Sequence, residues 1–135
     1  MCKMKTLKKI ALMCLALVLV QTVKAQKTEW KELKDFHEVM SKTFHPSEEG
    51  NFKPLKEHSG ELVAGVKAWQ ASAVPQSFKA DETKKVLAAL LLKCEEINKA
   101  VADKKSDKDL KVLITEAHDI FHQIVEKCRK PEGEK

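Results

Sequence analysis

The chain has 135 residues, with 25 Lys and Arg against 20 Asp and Glu, no Tyr and only four Gly. The excess of positive charge lies at its start, because residues 1–25 hold five lysines and no acidic residue, so that 20 basic and 20 acidic side chains follow them. The rest of the chain is balanced in charge and lacks the strong basic character that is typical of nucleic-acid-binding domains.

Residues 1–25 have the order of a secretory signal peptide. Residues 1–9 carry four lysines, residues 10–20 (IALMCLALVLV) are an apolar run of 11, and VKA at 23–25 is an A-x-A-like end. The apolar run is too short to serve comfortably as a permanent bilayer anchor. We therefore expect cleavage after Ala25, a periplasmic or secreted protein, and no stable membrane anchor after cleavage.

Residues 26–130 are predicted to form one helical domain, followed by a disordered tail at 131–135. Apolar residues recur at steps of three and four along four stretches, which indicates helices, and no strand-like alternation occurs. The stretches cover about 28–44, 54–72, 81–102 and 106–128. Helices of similar length with short connections predict an all-α fold, an antiparallel up-down-up-down four-helix bundle.

In the first helix the apolar row reads Trp30, Leu33, His37, Met40 and Phe44, with one histidine among apolar residues. The residue before a proline avoids the helical region, so the His-Pro step at 45–46 is expected to end this helix.

In the second helix Pro54 suits the first turn. Its row reads Leu55, then His58 or Ser59, then Leu62, Val66 and Trp69. Gly60 and Gly65 weaken helix propensity, which favours a close approach by a neighbouring helix at these positions.

In the third helix Val86, Leu90, Cys94, Ile97 and Val101 are predicted to point inward. The fourth helix starts at a capping box, with Ser106 followed three residues later by Asp109. Its predicted inward residues are Leu110, Leu113, Ala117, Phe121, Ile124 and Cys128.

The fourth helix carries HDIFH at 118–122, which places His118 and His122 one turn apart on the same side. Counting along each helix from the centre of its connecting loop predicts which residues share a level. This counting places four possible metal ligands in one layer, one from each helix: His37, His58, Cys94 and His118. His122 is an alternate ligand for a shifted register. Imidazole with thiolate suits Zn²⁺ or copper.

The same counting places Cys128 level with about residue 83, some 11 residues along the third helix from Cys94. That separation is roughly 16 Å of helix rise, whereas bridged cysteines need Cα atoms within about 7 Å. We expect no disulfide between them within one chain, although an exported protein with two cysteines would by default form one.

The chain resembles the exported haem-binding four-helix bundles of the cytochrome b562 and cytochrome c-prime type. The resemblance is architectural, and it rests on the helix spacing, on WQASAVP at the end of the second helix and on His122 near the end of the fourth. It implies a four-helix bundle and a late histidine as haem ligand. The early methionine of the b-type family is replaced here by Trp30 and Leu33, and the C-x-x-C-H motif of the c-type family is absent.

Three functions remain as alternatives. The chain is a small exported protein that binds a transition metal, or a cofactor-free helical module that binds an unknown protein partner or acts in stress, or a haem-binding bundle. The sequence has no P-loop, no Gly-rich dinucleotide turn and no HExxH motif, and its acid-histidine spacing is not that of di-iron bundles. We do not expect an enzyme.

Overall fold

The computed structural model describes residues 29–133. They form four helices: α1 (Lys31–Glu48), α2 (Lys53–Ala71), α3 (Ala80–Ala102) and α4 (Asp107–Lys127). Each helix packs against the next one, and α1 also packs against α4. The described residues therefore form the predicted all-α four-helix bundle, which is also the architecture that the resemblance implies.

Each helix contributes one row of buried side chains to a shared core. The largest apolar members of these rows are Phe36, Met40 and Phe44 from α1, Leu55, Leu62, Val66 and Trp69 from α2, Leu87, Leu90 and Ile97 from α3, and Leu110, Ile114, Phe121 and Ile124 from α4. Aromatic rings gather at one end, where Trp30 lies 5.5 Å from Trp69 and 5.1 Å from Phe78 between ring centroids. Burial of these rows is the main stabilising force of such a bundle.

In α3 and α4 some of the buried residues lie one position away from the residues that were predicted to point inward. Val86, Val101 and Leu113 lie only partly buried at the edge of the core, whereas Leu87 and Ile114 are buried. A helix turns by about 100° per residue, so adjacent apolar residues compete for the inward position.

The first helix departs from the prediction in two ways. It does not end before Pro46 but continues to Glu48, with Pro46 in its last turn. The Ser47 hydroxyl donates to the Thr43 carbonyl at 2.7 Å, which ties this last turn to the preceding one. The core residue is Phe36 rather than His37, because the large ring of Phe36 takes the buried position.

Because α1 is longer than predicted, the turn after it lies later in the chain. The pairs of α1 and α2 residues that lie at the same height in the bundle therefore differ from the predicted pairs. The Trp30 indole Nε1 donates to Ser72 Oγ at 2.8 Å, and Lys42 Nζ lies 3.7 Å from Glu61 Oε2. These two contacts place His37 level with about residue 65. That position is more than one helical turn from the predicted one.

Two of the helix connections contain a residue with a left-handed backbone, and α4 starts at a side-chain cap. Gly50, between α1 and α2, has φ of 85°, a left-handed conformation that glycine adopts without strain. Lys104 adopts a left-handed φ of 53° between α3 and α4. The Ser106 side chain accepts a hydrogen bond from Asp109 N at 3.1 Å, which confirms the predicted cap of α4.

The connection between α2 and α3 is fastened to the end of α4. Phe78 and Arg129 form an isolated antiparallel bridge, and the Arg129 guanidinium lies 5.2 Å from the centroid of the Phe78 ring. Two backbone hydrogen bonds flank the bridge: Lys79 N to Cys128 O at 2.8 Å and Lys130 N to Ser77 O at 2.9 Å.

The predicted signal peptide and its cleavage site after Ala25 lie outside the described residues. Among the helices of residues 29–133, none is both long enough and apolar enough to cross a membrane.

Candidate metal site between the first and fourth helices

His118 and His122 face each other on α4. Their Nε2 atoms are 3.1 Å apart, and their ring centroids are separated by 4.4 Å with 70° between the planes. Residues four apart on a helix lie one above the other, so the i, i+4 spacing brings the two rings to one point on the surface. Both side chains are partly exposed.

The second nitrogen of His122 has a carboxylate partner. His122 Nδ1 lies 3.2 Å from Glu126 Oε1, one turn further along α4. When Nδ1–H donates to this carboxylate, the lone pair of the imidazole is on Nε2, which faces His118. A carboxylate behind a histidine is the arrangement that orients metal-ligating imidazoles and makes them better donors.

His118 is held against α1. Its ring lies parallel to that of Phe44, with centroids 3.8 Å apart and 6° between the planes. Burial lowers the pKa of His118 below its ordinary value of 6.5, and the charge of His122 lowers it further. The charges of Asp119 and Glu48 raise it by less. The neutral imidazole is therefore favoured, and only the neutral form can coordinate a metal.

A further histidine lies at the end of α1 beside this pair. His45 is exposed, its Nδ1 is 3.2 Å from Glu48 Oε2, and its ring centroid is 5.5 Å from that of Phe44. Phe44 contacts both His45 and His118, and the charge of His45 makes a small contribution to the low pKa of His118. The sequence did not indicate His45 as a ligand, because its position before a proline predicts the end of a helix.

The other predicted ligands lie elsewhere. His37 is exposed and its ring is parallel to that of Phe121, at 5.4 Å between centroids. His58 is on α2, where its Nδ1 contacts Glu61 Oε1 at 2.8 Å. Cys94 is buried in the core.

The predicted layer of His37, His58, Cys94 and His118 is therefore not assembled. Within residues 29–133, no three His, Cys, Asp or Glu side chains form a group that could hold a metal ion. Counting residues from the centre of each loop gives the height of a residue in the bundle only to within about one helical turn. The longer α1 also shifted the heights of all α1 residues relative to α2. Counting also carried no information on which way each side chain points around its helix.

The two cysteines lie at different levels, as predicted. Lys79 N donates to the Cys128 carbonyl at 2.8 Å, and the Thr83 side chain lowers the pKa of the Cys128 thiol, so Cys128 lies near the predicted level of residue 83. Both thiols are unpaired and buried. Burial raises the pKa of Cys94 from 9.0 to about 12, so its thiol stays protonated at neutral pH and is a poor metal ligand.

Next to His122 on α4, the Phe121 ring lies 5.7 Å from the His122 ring between centroids. Phe121 packs against Phe36 at 5.7 Å and against Trp69 at 6.1 Å between ring centroids, and these rings fill the core on the inner side of His122. Haem binding stays a prediction from the resemblance.

No protein-family model, no curated protein and no solved structure matches this chain.

Proposed function

We propose that the chain is an exported protein, built as an up-down-up-down four-helix bundle, which binds Zn²⁺ or copper through His118 and His122. The observation that carries the proposal is the 3.1 Å separation of the two Nε2 atoms. The contacts of Trp30 with Ser72 and of Lys42 with Glu61 support the antiparallel direction of the first two helices.

The separation fits one metal ion between the two rings. Two nitrogens that each lie ~2.0–2.1 Å from Zn²⁺ are about 3.3 Å apart at the tetrahedral angle and about 2.9 Å apart at a right angle. Without a metal, the same distance is a hydrogen bond from one imidazole to the other. A metal ion would lie to one side of the line between the two Nε2 atoms, so each ring would turn until its lone pair points at the ion.

The surroundings of the pair favour coordination. The low pKa of His118 keeps its nitrogen available near neutral pH, and Glu126 orients His122 from behind. Imidazole nitrogens suit Zn²⁺ and copper better than Mg²⁺ or Ca²⁺, which prefer oxygen ligands. Binding, rather than catalysis, is the role that this donor set supports.

Metal-dependent stabilisation tests the proposal. Excess Zn²⁺ or Cu²⁺ at pH 7.5 should raise the melting temperature, with a gain in unfolding free energy of about 2.7 kcal/mol at a hundredfold excess over Kd. His122→Ala should abolish most of this gain. His58→Ala is the matched control. Like His122, His58 contacts a glutamate on its own helix, but it lies on α2. Equal melting temperatures of the wild type with metal and with chelator would refute the proposal.

Export is part of the same proposal and has its own test. The basic, apolar and small-residue order of residues 1–25 supports a mature protein that begins at Gln26. Intact-mass measurement of exported material should give the mass of residues 26–135, and retention of the first 25 residues would contradict it.

A cofactor-free partner-binding role is the second candidate. Leu92 on α3 and Val112 on α4 are large apolar side chains with 68% and 53% of their surface exposed. Val112 lines a groove of about 460 Å³ between the two helices. If this role holds, Leu92→Ser and Val112→Ser together should weaken partner binding without lowering the melting temperature.

A further inference from the structure

The end of α1 carries another imidazole, next to the phenylalanine that stacks on the histidine pair of α4. Phe44 stacks on His118 at 3.8 Å, and His45 is the next residue along the chain, with its ring 5.5 Å from that of Phe44. Two ring nitrogens leave a metal ion short of the four ligands that Zn²⁺ takes. A third protein ligand at this point would come from a different helix.

We propose that His45 swings onto the metal held by His118 and His122, with Glu48 orienting it, and that the ion thereby joins the end of α1 to α4. The inference rests on the proposed function. The three-histidine set leaves one position open for water or for a small exogenous donor, as three-ligand zinc sites do.

The chemistry of His45 matches that of His122. In both residues Nδ1 lies 3.2 Å from a glutamate oxygen, of Glu48 in one case and of Glu126 in the other. Each carboxylate can hold Nδ1–H, which leaves Nε2 as the donor atom. His45 and His122 are therefore prepared for coordination in the same way from two helices.

The side chain of His45 can change its rotamer. It is 65% exposed, and its hydrogen bond is to Glu48, which is itself an exposed side chain. An exposed side chain passes between staggered rotamers without disturbing the core. The Phe44–His118 stack keeps the backbone of residues 44 and 45 next to α4 during this change.

Zn²⁺ affinity of the full chain, measured by competition with a chromophoric chelator, tests the inference. His45→Ala should weaken binding by at least about tenfold, which is the lower end of the effect of losing even an outer-shell partner, and Glu48→Gln should weaken it by less. His58→Ala should not change affinity. His45→Gln is a second variant that keeps a polar side chain at this position.

The number of nitrogen donors provides an independent readout. The electron paramagnetic resonance spectrum of the Cu²⁺ complex should show splitting from three nitrogens in the wild type and from two in His45→Ala. The mass of the Zn²⁺-loaded protein in solution should remain that of one chain.

The outcomes separate the two proposals. Wild-type affinity in both His45 variants, or two nitrogens in the wild type, overturns the role of His45 and leaves the His118–His122 site standing. A doubled mass on addition of Zn²⁺ also overturns it, because a second copy would then complete the site. Failure of the wild type to bind Zn²⁺ or Cu²⁺ overturns the proposed function itself.

Discussion

His118 lies flat against Phe44, with 3.8 Å between ring centroids and 6° between the ring planes. This contact joins the middle of α4 to the last turns of α1. It also removes one face of the imidazole from water, which is the main reason for the low pKa of His118.

The first prediction concerns the titration of His118. Its midpoint in an NMR titration should fall below 6.5, and it should return to about 6.5 in urea. Phe44→Ala should raise the midpoint, because water then reaches the exposed face. A midpoint at or above 6.5 in the folded protein would contradict the stacked, partly buried position.

The same shift makes stability depend on pH. Because the folded pKa is lower than the unfolded one, the unfolded chain takes up the proton first as the pH falls. The contribution of His118 to the unfolding free energy is complete above the unfolded pKa and is lost as the pH falls through the folded pKa. Urea denaturation from pH 8 to pH 5 should show a smaller loss of stability in His118→Gln than in the wild type.

The second prediction compares two glycines of α2. A Cβ at Gly60 would lie 3.9 Å from the Asn98 side chain, an ordinary contact, whereas a Cβ at Gly65 would lie 3.2 Å from Phe36. Gly60→Ala should stabilise the protein by about 0.5–1 kcal/mol through helix propensity. Gly65→Ala should lose that gain, because the buried Phe36 ring must move.

Chemical denaturation of both variants measures the difference. Equal stabilisation by the two substitutions would show that the close approach of α1 and α2 at Gly65 is wrong.

The third prediction concerns Ser72, which follows α2. Its hydroxyl accepts from Trp30 Nε1 at 2.8 Å and donates to the Trp69 carbonyl at 2.6 Å. Ser72→Ala leaves the largely buried Trp30 donor without its partner, which should cost about 1–3 kcal/mol. Ser77→Ala, at an exposed position in the same connection, should change the unfolding free energy by less than about 0.5 kcal/mol. Similar losses in the two variants would contradict the role of this hydrogen bond.

The fourth prediction concerns the two thiols. Burial raises the pKa of both Cys94 and Cys128, so little thiolate is present at pH 8. A disulfide reagent should react with neither cysteine in the native protein and with both in denaturant, where the pKa is about 8.5. Rapid native-state reaction of Cys94 would show that the core around it is open.

The fold could be predicted from the sequence because the apolar rows of α2, α3 and α4 repeat with the helical period. The end of α1 could not, because the His-Pro step at 45–46 predicts a break. The hydroxyl bonds of Thr43 and Ser47 to preceding carbonyls accompany its continuation. Such side-chain bonds leave no periodic signal in the sequence.

The candidate site could be predicted only where its spacing is local. The i, i+4 relation of His118 and His122 follows from helix geometry alone. The position of His45 relative to α4 depends on the turn after α1 and on the stack of Phe44 against His118. This stack joins residues more than 70 positions apart in the sequence. A count of levels does not contain that information.

The bridge between Phe78 and Arg129 affects how two copies of this chain could exchange helices by domain swapping. Bundles exchange helical hairpins between copies when the middle connection opens into a hinge. Here that connection is held to the end of α4 by the bonds of Lys79 with Cys128 and of Lys130 with Ser77. Both bonds lie within the hairpin of α3 and α4, so a hinge that keeps them can open only in the part of the connection that precedes Ser77.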